Sequence, residues 1–233
     1  MSAGNLQKLS AWGVHLYTAS GIIFGFLSLV EVNQQDWKMA MIWMIVCLFI
    51  DGTDGLLARK ANVKEVLPRV NGKDIDFVID FVTYALLPAY FFYHADLVPS
   101  SLRLILTAYI LVISAIYYGI DGMVTDDMQF RGFPVLWNLV VFYQFFVFHS
   151  GHLVNIAMII LFGILHFIPI KISYPSKNLS ANAWPMVVGL AAIAIFIAIL
   201  IIYPVQSIVL TIAAWICMLF FAGLTIRYTW GGK

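Results

Sequence analysis

The chain has 233 residues, of which 62% are hydrophobic and only 11% charged, and its mean hydropathy of +0.93 excludes a water-soluble globular domain, which could not cover itself with so few polar groups. A formal net charge of +1, with no basic run away from the membrane rim, excludes nucleic acid as a partner. Cys47 and Cys217 stand alone inside apolar stretches, which leaves neither a disulfide framework nor a thiolate metal site.

A hydrocarbon core of about 30 Å takes roughly 20 apolar residues per helical span. That length predicts an all-α integral membrane protein, a bundle of about eight transmembrane helices. The first span covers about 12–32 and carries Thr18, Ser20 and the small pair Gly21 and Gly25, a spacing that lets helices approach closely. Only Lys8 precedes it and no small-residue cleavage site follows, so it is expected to be a retained span. The second, 37–58, ends in an acidic cluster, and the third, 76–95, opens in another. The fourth, 102–120, ends at Tyr117 and Tyr118 with Asp121 beyond, and the fifth, 133–150, contains Trp137 near its start. The sixth, 153–170, is followed by Lys171 and Lys177; the seventh and eighth run over 184–203 and 208–226. Short connections leave no room for a separate soluble domain, so residues 1–233 are expected to form a single transmembrane catalytic domain.

With the N-terminus inside, eleven of the thirteen lysines and arginines fall on the cytoplasmic side, and only Lys38 and Arg103 fall outside. This asymmetry places both termini and the loop between spans two and three in the cytoplasm. Trp12, Trp37, Trp184, Tyr203, Tyr228 and Trp230 sit near span ends, where amphipathic rings meet the headgroups.

The chemistry concentrates in Asp51-Gly-Thr-Asp-Gly-Leu-Leu-Ala-Arg59 and Gly72-Lys-Asp-Ile-Asp-Phe-Val-Ile-Asp80. Asp51 and Asp54 are three apart, Asp76 and Asp80 four apart, so each pair projects from one helix face. Four carboxylates near hydrocarbon repel one another and cost several kcal/mol unless cations neutralise them. An all-oxygen donor set without nearby histidine or cysteine suits Mg2+ or Mn2+, and two ions would balance four charges. The plainer alternative pairs Asp51 and Asp54 with Arg59 and Lys60 and lets Asp74 or Asp76 cap the third helix. It leaves Asp51 and Asp80 unexplained.

These residues resemble the signature of the CDP-alcohol phosphotransferase family, D-x-x-D-G-x-x-A-R, a spacer, then G-x-x-x-D-x-x-x-D. Asp51, Asp54, Gly55, Ala58, Arg59, Gly72, Asp76 and Asp80 match every fixed position. The spacer of twelve residues, Lys60 to Asn71, where most of the family has eight, is similar to the bacterial branch that condenses CDP-diacylglycerol directly with choline. The resemblance implies that Asp51, Asp54 and Asp76 bind the metals, with Asp80 completing the cluster and acting as general base. It also implies that Gly55, Ala58, Gly72 and Arg59 accommodate the CDP moiety, with Thr18 and Ser20 reaching the nucleotide; helical hydroxyls more often bond back to their own backbone. A bacterial inner membrane and a homodimer are further expectations from the family. Phe130-Arg-Gly-Phe-Pro134 resembles a short Phe-x-Gly-x-Pro element of the related phosphatidylserine synthases.

Choline is a quaternary ammonium, so its recognition calls for aromatic faces and a carboxylate. Tyr84, Tyr117, Tyr118, Trp137 and Asp121 are the acceptor candidates, and Lys171 and Lys177 are candidates for lipid phosphate, although they also suit ordinary positive-inside residues. Serine, inositol or a glycerol phosphate is the alternative acceptor. A cation-coupled transporter using the same aspartates is the alternative from another class and requires broken helices near the bilayer midplane.

Overall fold

The computed structural model describes residues 4–123, 129–173 and 183–231. Its helices are α1 (Asn5–Asn33), α2 (Trp37–Lys60), a single turn α3 (Val63–Val66), α4 (Gly72–His94), α5 (Ser100–Tyr118), α6 (Trp137–Phe148), α7 (His152–Leu165), α8 (Trp184–Ile202) and α9 (Ile208–Trp230). Six of these, α1, α2, α4, α5, α8 and α9, are long and apolar enough to cross a membrane. The protein is thus an all-α integral membrane protein with several crossings.

The fifth and sixth expected spans are shorter than their apolar stretches. Helix α6 begins only at Trp137 and α7 stops at Leu165. Twelve residues of helix reach about 18 Å, well under the hydrocarbon thickness. The apolar run was real, but Phe133 to Leu136 are not helical, held off by two features. Gly132 sits at φ +82°, and Pro134 lacks an N–H to donate. In place of an uninterrupted helix the chain forms a ribbon absent from the expected all-helical pattern: β1 (Gln129–Arg131) pairs antiparallel with β2 (Lys171–Ser173), Arg131 opposite Lys171.

The chain divides into two compact units, Met1–His94 and Ala95–Lys233. In the first, α1 presents a stripe of Ala11, His15, Thr18, Gly21, Gly25, Ser28 and Val32, the three-to-four spacing of a buried helix face. Ser28 donates to the Ala40 carbonyl at 2.9 Å, fastening α1 to the start of α2. The small pair anticipated from sequence serves packing: a Cβ at Gly21 would stand 2.9 Å from Ile79 Cγ2, and one at Gly25 would stand 3.2 Å from Leu87 Cδ1, both on α4. Helix α2 is capped by Asp36, whose carboxylate accepts from the Met39 amide at 2.9 Å, and it ends on Arg59 and Lys60, cations suited to the negative end of the helix dipole.

The second unit is held by buried polar groups as well as apolar packing. Asn155 Nδ2 donates to the Leu97 carbonyl at 2.9 Å, while the Asn155 carbonyl accepts from Gln144 Nε2 at 3.0 Å. Tyr143 donates to the Ala214 carbonyl at 2.8 Å, joining α6 to α9. With no water in hydrocarbon to satisfy them, such groups must find partners inside the protein.

Candidate active site

Helices α2 and α4 each bring carboxylates to the site. One oxygen from each of Asp51, Asp76 and Asp80 lies within 4.8 Å of the others. Asp54 stands outside this trio. Its side chain is buried, with Thr18 of α1 beside it, because three residues along a helix turn it some 60° from Asp51, toward α1. Its charge nevertheless acts on both Asp51 and Asp80.

The plainer ionic reading does not hold. Among the described residues, neither Asp51 nor Asp54 pairs with Arg59 or Lys60; an ion pair joins Arg103 to Asp96 in the other unit. The cap of α4 is Asn71, whose side-chain oxygen accepts from the Lys73 amide at 3.2 Å, so capping does not account for Asp76. Asp80 Oδ1 is fully buried without a hydrogen-bond partner.

The donor set fits a hard divalent ion. Oxygens sharing one Mg2+ at bond lengths of about 2.1 Å stand roughly 3 to 4 Å apart, so carboxylate oxygens gathered within 4.8 Å need only a small adjustment to close on an ion. A buried orphan oxygen among like charges is the kind of group that a cation satisfies.

The neighbouring signature residues line the same region. An added Cβ at Gly55 would stand 3.5 Å from Arg59 Nη1, so the guanidinium folds back over this glycine. Ala58 is half-buried and Arg59 exposed. At Gly72 an added Cβ would meet the His15 ring at 3.1 Å. His15 is buried and its Nε2 has no hydrogen-bond partner; it shares the α1 stripe with Thr18. His15 is not among the candidate residues drawn from the sequence, although its spacing of three from Thr18 is a readable signal. Ser20 donates its hydroxyl to the Tyr17 carbonyl of its own helix at 2.6 Å, as helical hydroxyls commonly do. Thr18 bonds back to Val14 at 3.3 Å.

The acceptor candidates separate. Tyr84 belongs to the first unit, is 5% exposed, and donates its hydroxyl to Asp51 Oδ2 at 2.6 Å. Tyr117, Tyr118, Asp121 and Trp137 belong to the second. Trp137 is fully buried; its indole N–H donates to Ser114 at 2.9 Å and its ring stacks on His166 at 5.4 Å. It therefore offers no free face to an ammonium, which corrects the sequence expectation. Tyr117 is also buried, edge-on to His166 at 5.2 Å. Tyr118 is half-buried and Asp121 exposed. The Lys171 amide donates to Thr229 Oγ1 of α9 at 2.9 Å, and Lys177 lies outside the described residues.

Fold and site together describe a polytopic membrane protein that carries the CDP-alcohol phosphotransferase signature on two adjoining helices. No family model matches the chain. It is 44% identical over 167 residues to a phosphatidylcholine synthase of Mesorhizobium japonicum, covering 72% of this chain and 62% of that relative. A phosphatidylcholine synthase of Legionella pneumophila is 38% identical over 73% of this chain and 67% of its own. Another, from Borreliella burgdorferi, is 32% identical over 222 residues, 95% of this chain and 94% of its own. The chain belongs to the phosphatidylcholine synthase family. It spans little more than three fifths of the length of relatives such as the Mesorhizobium protein.

Proposed function

We propose that this chain is a phosphatidyltransferase that condenses CDP-diacylglycerol with choline, giving phosphatidylcholine and CMP. The observation that carries the reading is the Asp51, Asp76 and Asp80 trio, gathered from two helices, with Asp80 Oδ1 buried and unpartnered. Family membership supports the substrates, and the basic residues beside the cluster support a site at the cytoplasmic face of an inner membrane, with both termini on that side.

Asp51, Asp76 and Asp80 hold Mn2+ or Mg2+, and Asp54 completes the acidic set for a second ion. When bound, such cations neutralise the carboxylates, grip diphosphate oxygens and draw charge toward the departing CMP. Gly55, Ala58 and Gly72 leave room for the nucleotide, and Arg59 holds its phosphates. Asp80 takes the proton of the choline hydroxyl as the choline oxygen bonds to the phosphatidyl phosphorus, and the bond from that phosphorus to CMP breaks with its electron pair on CMP. The two carboxylate segments, 51–59 and 72–80, contain no serine, cysteine or histidine to carry a covalent intermediate, so the displacement is direct. By residue type alone, Tyr118 and Asp121 are the candidates for an aromatic face and a carboxylate on the ammonium, and Lys171 is the candidate for lipid phosphate.

The test is CMP release by purified protein given CDP-diacylglycerol and Mn2+ with choline, serine or inositol in separate reactions. Release with choline alone is expected. Release with serine and not choline overturns the acceptor, and no release with any of them overturns the reaction class.

A further inference from the structure

Tyr84 has a second meaning that the aromatic content of the bundle conceals. Immediately after Asp80 the helix widens into a π-type turn, Phe81–Leu86, a departure from α geometry often found at functional sites. The wider turn buries three consecutive residues, Thr83, Tyr84 and Ala85, more than a regular helix of narrow buried stripe would turn inward together. From this position the Tyr84 hydroxyl crosses to α2 and donates to Asp51 Oδ2 at 2.6 Å.

A phenol keeps its proton at neutral pH, so Tyr84 is the donor and Asp51 the acceptor. A carboxylate offers about four lone-pair sites. The Tyr84 hydroxyl occupies one site on Oδ2 and fixes the rotation of the group, with the Asp80 carboxyl beside it as a further partner. The relationship follows from the antiparallel run of the two helices. Tyr84 lies one turn beyond Asp80 on α4, and its hydroxyl reaches the Asp51 carboxylate on α2. Asp80 Oδ1 has no hydrogen-bond partner, whereas Asp51 carries the Tyr84 hydroxyl, which restrains its orientation.

We infer that Tyr84 is a positioning residue for the cation site: it orients Asp51 toward the ion, and its ring is not a face for choline. This rests on the proposed reading of the trio as a metal site. Partners of this kind, one bond removed from the ion, typically raise metal affinity 10- to 100-fold.

The experiment is a Mn2+ titration of the full chain in detergent, read by the electron paramagnetic resonance signal of free hydrated Mn2+, with unfolding temperature in EDTA measured alongside. Tyr84→Phe, which removes one oxygen and keeps the ring, is expected to raise the half-saturating Mn2+ about 10- to 100-fold while the EDTA unfolding temperature stays close to the parent's. In an Asp51→Asn background the same change is expected to add nothing further, because the residue through which Tyr84 acts is already altered. Superimposable Mn2+ curves for parent and Tyr84→Phe overturn the inference, as does full additivity with Asp51→Asn. Should Tyr84→Phe fail to fold, Tyr84→His, which keeps a ring and an N–H donor, is compared with Tyr84→Leu. Tighter Mn2+ binding by the histidine variant supports the role and equal binding overturns it. A parent chain that binds no Mn2+ would instead sink the functional reading itself, which keeps the two failures distinct.

Discussion

Gly21 of α1 and Ile79 of α4 approach so closely that a Cβ on the glycine would stand 2.9 Å from the isoleucine Cγ2. Ile79 immediately precedes Asp80, so the distance between α1 and α4 sets where the base of the proposed reaction stands. Gly21→Ala sets a methyl against Ile79 Cγ2, which is held one bond from a branched Cβ, and is expected to lower CMP release a few-fold. Gly21→Leu must push α4 outward. A displacement near 1 Å at a reacting group costs about 10²-fold in rate, and that loss is expected in CMP release from protein still extracted as a folded, monodisperse species. Parental activity in the leucine variant would show that this contact does not position Asp80.

Neutralising Asp80 should separate stability from activity. Asp51, Asp76 and Asp80 crowd within 4.8 Å, and Asp54 adds its repulsion. At an effective dielectric of about 20, like charges at such separations repel by about 3–4 kcal/mol per pair. Asp80→Asn keeps the shape and removes one charge. In EDTA the variant is expected to unfold at a higher temperature than the parent, yet to release CMP about 10²- to 10⁴-fold more slowly through loss of the base. A variant that is both less stable in EDTA and fully active would remove Asp80 from the cluster's electrostatics and from the chemistry.

Removing and restoring the ion tests the trio as a unit. Dialysis against EDTA is expected to abolish CMP release, and Mn2+ or Mg2+ to restore it, because the donors are all carboxylate oxygens. A ligand at 100 times its dissociation constant stabilises the folded state by about 2.7 kcal/mol. Thermal unfolding in detergent should therefore move upward with added Mn2+ in the parent and hardly at all in Asp51→Asn or Asp76→Asn. A shift of equal size in all three would place the ion elsewhere.

Much of this was readable before the fold was seen, and the gaps have physical causes. Hydropathy located α2 and α8 closely, because an apolar helix facing lipid has nothing to disguise its length. It misjudged the stretch from Phe133 to Ser150, where an apolar run cannot report that Gly132 and Pro134 keep its beginning out of a helix. The ribbon of Gln129–Arg131 with Lys171–Ser173 was illegible, since three-residue strands carry no periodicity and their partners lie 40 residues apart. Spacing placed Asp51 and Asp54 on one helix face, but the 60° between them decides that Asp51 joins the trio while Asp54 turns to Thr18. Spacing likewise put Tyr84 on the face of Asp80, yet only the helix packing reveals that its hydroxyl reaches Asp51.

The element Phe130 to Pro134 yields the last prediction, one of stability in the second unit. Gly132 adopts φ +82°, and a Cβ there would stand 2.1 Å from the His166 carbonyl oxygen. Its amide donates to Ile170 at 2.8 Å and that of Phe133 to Leu165 at 2.8 Å, so this segment is stitched to the end of α7 through backbone atoms that have no freedom to withdraw. Gly132→Ala therefore brings both a left-handed conformation that side chains disfavour and a clash with main chain. The first alone costs on the order of 1–3 kcal/mol, and the clash adds to it. Since the substitution touches none of the Asp51, Asp76 or Asp80 helices, the expected outcome is a lowered yield of folded protein and a lower unfolding temperature. Mn2+ half-saturation should stay at the parental value in whatever fraction folds. Unchanged thermal unfolding would mean that the His166 carbonyl yields without cost, and that the close approach is not a constraint on the fold.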